Sequence, residues 1–250
     1  MKTRALTISV LAVVAVAGAA LAATPANITA ALGDIKRPPA DSSRDVARKP
    51  AELLALAEVK PGQKVADFMM GGGYFTRILS PAVGPKGHVW AYQSAEFVGF
   101  RAQYGTDQDK VVADYANVTP LRSSLADPGL PDGLDLVLTV QNYHDLHLKF
   151  AKADTADGIN KAVFKALKPG GLYVIVDHAA LPGAPLSVAD SLHRIDEAQV
   201  KKEVEAAGFK LVTEDDKLLG DPSDTHDKSV FDPSIRGKTD QFILKYRKPK

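Results

Sequence analysis

The chain has 250 residues, of which 45% are hydrophobic and 24% are charged, and this balance excludes a disordered, fibrous or repeat protein. The formal net charge of +1 gives no electrostatic reason to expect a nucleic acid or an anionic membrane as partner, so a small-molecule partner is favoured. The sequence contains no cysteine, which excludes thiol catalysis, disulfide bonds and cysteine metal sites. These features predict no particular oligomeric state.

The first 22 residues are typical of a secretory signal peptide. Met1-Lys2-Thr3-Arg4 is basic, residues 5–22 carry no charge, and Ala20-Leu21-Ala22 is a small-x-small cleavage signal. We therefore predict an exported, periplasmic protein that keeps no stable membrane span after cleavage. The alternative is an uncleaved anchor, because the apolar stretch approaches the roughly 18 residues that can span a bilayer. Residues 23–43 are predicted to form a linker, and residues 44–250 a single domain.

Apolar, β-rich runs recur along this domain after a lead-in helix that begins at Pro50. The predicted strands are residues 65–68, 88–92, 134–140, 172–176, 210–212 and 241–246. Because helical stretches separate most of them, they predict an α/β fold in which a mostly parallel sheet is covered on both faces.

The most informative segment is residues 65–79, where an apolar strand ends near Asp67, a glycine triplet follows and an amphipathic helix begins. Such a turn brings backbone N–H groups and a helix N-terminus close to a polar ligand. Three consecutive glycines cost conformational entropy, which favours ligand binding over an ordinary turn. The segment from Asp67 to Gly73 resembles motif I of the class I S-adenosylmethionine (SAM) dependent methyltransferases, D/E-x-G-x-G-x-G, because an acid is followed by glycines at alternate positions. Met69 replaces the first glycine of that motif.

Further features extend this resemblance over roughly residues 44–247. Lys168-Pro169-Gly170-Gly171 before an apolar strand is similar to a late core signature, and the last two predicted strands match the closing β-hairpin of the family. The resemblance implies a Rossmann-like class I methyltransferase fold, with a mostly parallel sheet and an antiparallel final strand. More narrowly, Arg48-Lys49-Pro50, the glycine turn and residues 142–145 and 238–242 resemble an uncharacterised group of exported predicted methyltransferases.

The resemblance also implies SAM as cofactor and assigns residues to it. The predicted cofactor-binding residues are Asp67, Gly71, Gly72, Gly73, Gln93 and Asn142. Asp67 and the glycines would hold the methionine end. Gln93 would lie near the ribose, where the family usually has an acid, and Glu96 is the alternative ribose ligand. Asp127, after two serines, is a candidate to recognise the adenine.

The segment after the strand at residues 134–140 carries the predicted catalytic residues His144, Asp145 and Tyr143. Methyl transfer to oxygen or nitrogen requires a group that positions the acceptor and removes its proton. A histidine with a pKa of ~6.5, oriented by a carboxylate, suits that task. We therefore predict that His144 is the base and that Asp145 orients it, or alternatively that Asp145 caps the next helix. The predicted function is SAM-dependent methyl transfer to a small-molecule acceptor.

A second hypothesis is an exported methyltransferase-like protein that has lost SAM and binds a small molecule or a metal. Three observations favour it: Met69 in place of a glycine, Gln93 in place of an acid, and export away from the cytoplasmic SAM supply. No metal ligand is assigned under the first hypothesis. Under the second, the candidate ligands are His144, His147 and His178, with His193 or Asp177.

Overall fold

A computed structural model describes residues 24–250, so the predicted signal peptide lies outside the described residues. The seven strands are β1 (Lys64–Phe68), β2 (His88–Ser94), β3 (Val118–Ser123), β4 (Leu134–Val140), β5 (Leu167–His178), β6 (Lys210–Asp215) and β7 (Gln241–Arg247). They form one sheet in the order β3-β2-β1-β4-β5-β7-β6. β7 runs antiparallel to both β5 and β6, and the other neighbours pair in parallel. The predicted parallel sheet and antiparallel final strand are confirmed.

Strand β3 is the one strand that the sequence pattern did not predict. It lies at the edge of the sheet, and only Val118 in it is buried. Pro120 also interrupts it, and proline is tolerated in edge strands because one side of the strand needs no hydrogen-bond donor. A polar edge strand with a proline lacks the apolar run by which the other six were recognised.

Ten α-helices and one 3₁₀ helix are present in residues 24–250. The α-helices are α1 (Ala26–Leu32), α2 (Pro39–Ser42), α3 (Asp45–Arg48), α4 (Pro50–Leu56), α5 (Tyr74–Val83), α6 (Ala95–Phe100), α7 (Gln103–Asp114), α8 (Thr155–Ala166), α9 (Val188–Leu192) and α10 (Glu197–Ala206). The 3₁₀ helix is His144–His147. Within this part of the chain, none of the helices has both the length and the apolar character needed to cross a bilayer.

The two faces of the sheet bury separate hydrophobic cores because successive strand residues point to opposite faces. Val65 belongs to the core under α1, α4 and α5, whereas its neighbour Ala66 belongs to the core under α8 and α10. Ile159 of α8 and Tyr246 of β7 are fully buried in the second core. The helices on both faces hold the strand ends, and the turns that follow them, in fixed positions.

The predicted linker at residues 23–43 is wrong for the described residues 24–43. Ile28 and Ala31 of α1 are buried in the first core, and burying an isoleucine side chain stabilises the fold by roughly 1.5–3 kcal/mol. Pro39 does not break the structure here, since it occupies the first turn of α2, where a missing N–H costs nothing. The N-terminal segment is therefore part of the domain.

Candidate active site

The glycine turn between β1 and α5 has the backbone conformation that its sequence suggests. Gly71 and Gly73 have φ values of +56° and +82°, and α5 begins directly after Gly73. A Cβ atom on Gly73 would lie 2.5 Å from the side chain of Val111. Met69 also has a positive φ, +63°, so the residue that replaces the first glycine of the motif keeps a left-handed backbone. That conformation costs a non-glycine residue about 1–2 kcal/mol.

Asp67 is the acid of the turn, and its side chain is buried. Thr76 of α5 donates a hydrogen bond from Oγ1 to Asp67 Oδ2 at 2.5 Å. Burial raises the pKa of Asp67 to about 6, although this hydrogen bond and the positive charge of Arg48 act in the opposite direction. A positively charged ligand group beside Asp67 would offset the cost of its buried charge.

Two side chains hold the backbone of the turn: Gln93 of β2 and Asn142, which lies just after β4. Gln93 Oε1 accepts a hydrogen bond from the Gly71 N–H at 2.9 Å. Asn142 Nδ2 donates to the carbonyl oxygens of Met69 and Val140, at 2.9 and 2.8 Å. Both side chains therefore hold the backbone of the turn, and the predicted ribose contact of Gln93 would have to form through its remaining amide group.

Glu96 and Asp127 are also engaged with their own surroundings. Glu96 accepts hydrogen bonds from Ser124 Oγ at 2.7 Å and from the Leu125 N–H at 3.1 Å. These bonds join the start of α6 to the loop after β3. Asp127 is exposed, and its Oδ1 accepts from the Gly129 N–H at 3.3 Å in a turn interaction.

A cavity of about 150 Å³ lies at the turn and contains opposite charges. Asp67, Gly71 and Gly72 line one side, and Arg44 and Arg48 line the other. This cavity is smaller than the roughly 300 Å³ at which ligand pockets usually begin, so it would enclose only one end of a nucleotide-sized ligand.

Arg48 is a candidate site residue that sequence reasoning noticed only as part of Arg48-Lys49-Pro50. Its guanidinium stacks on Tyr74, 4.6 Å from the ring centroid, and donates to Gln141 Oε1. Burial, followed by the nearby charge of Arg44, lowers the pKa of Arg48 to about 10, so it stays charged at neutral pH. The cavity therefore presents a fixed cation and an acid to the same ligand.

A second cavity, of about 250 Å³, lies on the other side of the β2 end. Glu96 of α6 and two residues of the loop after β3, Leu125 and Ala126, line it, and Phe150 lines it from the loop before α8. Apolar and aromatic side chains of this kind suit the flat face of a heterocyclic base.

His144 is fixed by two carboxylates. Asp177, at the end of β5, accepts from His144 Nδ1 at 2.8 Å and from the His144 backbone N–H at 2.7 Å. On the other side of the ring, Nε2 lies 3.2 Å from Asp145 Oδ1. The predicted pairing of His144 with Asp145 is present, and Asp177 is a second, buried carboxylate partner.

These carboxylates change the protonation expected of His144. Burial disfavours a charge on the ring, but Asp177 and Asp145 outweigh it and raise the pKa of His144 to about 10. The ring is then an imidazolium at neutral pH and has no free lone pair. The prediction that His144 is a general base with an ordinary pKa is therefore not supported by its surroundings.

His193 completes the group, which we call the histidine cluster: His144, Asp145 and His193. His193 Nδ1 lies 3.3 Å from His144 Nε2 and 4.0 Å from Asp145 Oδ1. His193 follows α9 with a φ of +54°, which places its ring beside the 3₁₀ helix. Its side chain is 25% exposed, against 4% for His144, so the cluster opens to solvent at His193.

A buried ion pair anchors the segment that borders the cluster. Arg194 is fully buried and pairs with Asp224, with Nη1 2.8 Å from Oδ2. Its Nε also donates to the Lys228 carbonyl oxygen at 3.0 Å. Phe231, from the same segment, packs edge-on against His193 with 4.6 Å between ring centroids. The loop between β6 and β7 thus forms one wall of the cluster.

Solved structures identify the fold. A SAM-dependent methyltransferase from Aquifex aeolicus superposes with a TM-score of 0.60 at 19% identity, covering 84% of this chain and 95% of that chain. Aeropyrum pernix fibrillarin, solved with natively bound S-adenosyl-L-methionine, superposes with a TM-score of 0.54 at 15% identity, covering 81% of this chain and 76% of that chain. The chain has the class I methyltransferase fold. The fold class predicted from the sequence is confirmed.

Two more similarities accompany this methyltransferase fold. Protein-L-isoaspartate O-methyltransferase from Methanosarcina mazei is 29% identical over 126 residues, which is 50% of this chain and 43% of that protein. The chain thus matches less than half the length of this relative. A possible exported protein from Bordetella parapertussis superposes with a TM-score of 0.52 at 18% identity, covering 86% of this chain and 71% of that chain. No family model matches the chain.

Within the methyltransferase fold, three other predicted residues bond groups outside the histidine cluster, although the His178 ring lies only 6.1 Å from the His144 ring. The Tyr143 hydroxyl donates to Glu203 Oε2 at 2.9 Å, and the side chain is buried among helices. His147 Nε2 lies 3.1 Å from the same carboxylate oxygen. His178 Nδ1 pairs with Thr239 Oγ1 at 2.8 Å, and burial lowers the pKa of His178 to about 3. The Tyr143 hydroxyl faces the interior between α8 and α10, so the structure does not bring this predicted catalytic group to the histidine cluster.

Proposed function

We propose that the protein is a SAM-dependent methyltransferase that acts on a small-molecule acceptor. The observation that carries this proposal is that Asp67 and Arg48 line one cavity at the glycine turn. An acid and a guanidinium together complement a zwitterionic amino-acid group, and SAM ends in such a group. The class I fold and the SAM-dependent proteins that share it support the same proposal.

The residues present fit the methionine end of SAM. The Asp67 carboxylate would accept from the ammonium group, and the Arg48 guanidinium would bind the carboxylate. Gly71 and Gly72 have no side chains, so the ligand can approach their backbone. Gln93 and Asn142 hold this backbone in place and would preserve the shape of the turn before the ligand arrives.

The adenosine end would extend toward the second cavity. The turn cavity alone is too small for the whole of SAM, and Glu96, in the first turn of α6 after β2, lines the second cavity. Leu125 and Phe150 would cover the base. In this proposal Gln93 lies near the ribose and acts indirectly, because it holds the backbone of the glycine turn at Gly71.

His144 and Asp145 are the proposed acceptor-side residues. SAM, when bound, supplies an electrophilic methyl group. His144 is held rigidly by Asp177, so its Nε2 and the Asp145 carboxylate present a fixed polar surface to an acceptor. These groups are largely buried, which favours a small molecule that can enter over a folded polymer that cannot.

We also propose that the protein is exported to the periplasm after removal of residues 1–22. The signal peptide pattern supports this, and N-terminal sequencing of protein recovered from the periplasm tests it. An N-terminus at Ala23 is expected. Recovery of the chain only from the cytoplasm, beginning at Met1, would contradict the proposal.

Calorimetric titration with SAM and with 5′-methylthioadenosine tests the cofactor proposal. The second compound keeps the adenosine part and lacks the amino-acid end. We expect Arg48→Met to weaken SAM binding by about 10- to 100-fold, as for loss of a hydrogen bond to a charged group, and to leave 5′-methylthioadenosine binding unchanged. Absence of SAM binding to the wild-type protein would contradict the proposal and favour a protein that has lost the cofactor.

A further inference from the structure

The histidine cluster brings together three atoms of kinds that can bind a metal ion, two imidazole nitrogens and one carboxylate oxygen. His144 Nε2 lies 3.2 Å from Asp145 Oδ1 and 3.3 Å from His193 Nδ1, and the third side of the triangle is 4.0 Å. These atoms come from the 3₁₀ helix after β4 and from the end of α9. The three residues are the one group of at least three histidine and acidic side chains in residues 24–250 close enough to share an ion.

We propose that the histidine cluster binds one divalent transition-metal ion. In the plane of the three atoms, the point equidistant from them lies about 2.1 Å from each, which is the length of Zn–N and Zn–O bonds. Two imidazoles and one carboxylate suit zinc, iron or manganese better than magnesium or calcium, which prefer oxygen ligands.

Asp177 supplies the second feature of such a site. Metal-binding histidines usually donate their other ring nitrogen to a carboxylate, which fixes the tautomer and the ring orientation. His144 Nδ1 is 2.8 Å from Asp177 Oδ1, and the second oxygen of Asp177 accepts from the His144 backbone N–H. Nε2 is therefore held toward Asp145 and His193. When the ion binds, it replaces the proton on Nε2, and that proton leaves to solvent.

The exposure of the cluster decides which side of the ion stays open. His144 and Asp145 are largely buried, whereas a quarter of the His193 side chain is exposed. An ion held by three protein ligands would keep its remaining positions on this open side, as metal sites that act on substrates do. If the proposed methyl transfer is correct, a hydroxyl-bearing acceptor would bind there, and the ion would lower the pKa of that hydroxyl.

Zn²⁺ titration of the mature, tag-free chain tests the site, because a polyhistidine tag would itself bind metal. The key variant is His193→Asn, since asparagine tolerates a positive φ and removes the imidazole. His88→Ala is the matched control, since it removes a histidine that pairs with Thr119 and lies outside the cluster. Circular dichroism confirms that each variant is folded.

We expect one Zn²⁺ per chain in the wild-type protein and in His88→Ala. In His193→Asn the Zn²⁺ affinity should fall by ~100-fold or more, because loss of a direct ligand exceeds the ~10- to 100-fold cost of losing a residue that only orients a ligand. Co²⁺ should give visible d–d absorption without a thiolate charge-transfer band, since the sequence has no cysteine. No Zn²⁺ uptake by the wild-type chain, or wild-type affinity in His193→Asn, would overturn the proposal. SAM titration in the presence of a chelator tests the proposed function separately, so the two failures are distinguishable.

Discussion

The glycine turn and the histidine cluster are built in different ways, although both lie at the carboxyl edge of the sheet. The turn is one run of seven residues, 67–73, whose shape follows from its glycines. The cluster combines His144 and Asp145 with His193, 49 positions after His144 in the sequence. A local motif can be recognised in a sequence, whereas a cluster of this kind exists only after the chain has folded.

The two regions also differ in what fixes them. The turn is braced by two single side chains, Gln93 of β2 and Asn142 just after β4. The position of His193 depends on the buried pair of Arg194 with Asp224 and on the ring of Phe231. Damage to distant packing should therefore disturb the cluster first and leave the turn intact.

The largest expected effect is that of Arg194→Ala. The substitution leaves Asp224 buried without its partner, and breaking a buried ion pair costs about 3–5 kcal/mol of the free energy of unfolding. Urea denaturation measures this loss. The matched control is the exposed Arg236, which lies with Asp224 in the loop between β6 and β7. Arg236→Ala should change the free energy of unfolding by less than ~0.5 kcal/mol. Equal effects of the two substitutions would show that the segment is not anchored through Arg194.

Asp67→Asn should stabilise the ligand-free protein at neutral pH. The pKa of Asp67 is about 6 in the folded protein and ~3.9 when unfolded, so ionisation at pH 7 costs about 3 kcal/mol. Because the pKa of Asp67 is higher in the folded protein than in the unfolded chain, the protonated carboxyl group contributes stability that is fully present below pH ~4. This contribution is lost as the pH rises to about 6.

Urea denaturation across this pH range checks the sign. We expect the difference in stability between Asp67→Asn and the wild-type protein to grow from pH 4 to pH 6 and then to level off. Thr76 can still donate to the amide oxygen of the variant, which limits other losses. A difference that does not change with pH would contradict a raised pKa at Asp67.

The two glycines of the turn give a smaller, paired effect. Gly71→Ala meets open space and should cost about 1–2 kcal/mol for its positive φ alone. Gly73→Ala has the same strain and also places a Cβ atom 2.5 Å from Val111, so it should cost about 1–3 kcal/mol more. Thermal unfolding of both variants tests the order. If Gly71→Ala were the more damaging, the described packing behind Gly73 would be wrong.

Tyr143→Phe should have the smallest effect on ligand binding. It removes the hydroxyl that bonds Glu203 and the buried Asn160, which should cost about 1–3 kcal/mol of the free energy of unfolding. Because this hydroxyl lies away from both regions, the affinities for SAM and for Zn²⁺ should stay at their wild-type values. A large loss of either affinity would show that the Tyr143 hydroxyl contributes to ligand binding.

The sequence could predict the features that depend on local patterns. The turn at Asp67 and six of the seven strands belong to this group, because glycine spacing and apolar runs express them directly. The direction of a side chain after a strand depends on packing, which the sequence pattern does not express. At the 3₁₀ helix, Tyr143 points into the interior and His144 contacts Asp177. Arg48 lies at the end of α3 and lines the cavity. The sequence did not predict this position, because the prolines of the preceding segment, such as Pro39 of α2, are also typical of a linker.

We infer that the glycine turn binds SAM independently of the histidine cluster. Titration of SAM into the wild-type protein, Asp67→Asn and His193→Asn tests this inference. We predict that Asp67→Asn weakens SAM binding by at least about tenfold, since it removes the charge that the ammonium group needs, and that His193→Asn leaves the SAM affinity unchanged. SAM affinity that is equal in Asp67→Asn and the wild-type protein, or that is lost in His193→Asn, would contradict independent binding at the turn.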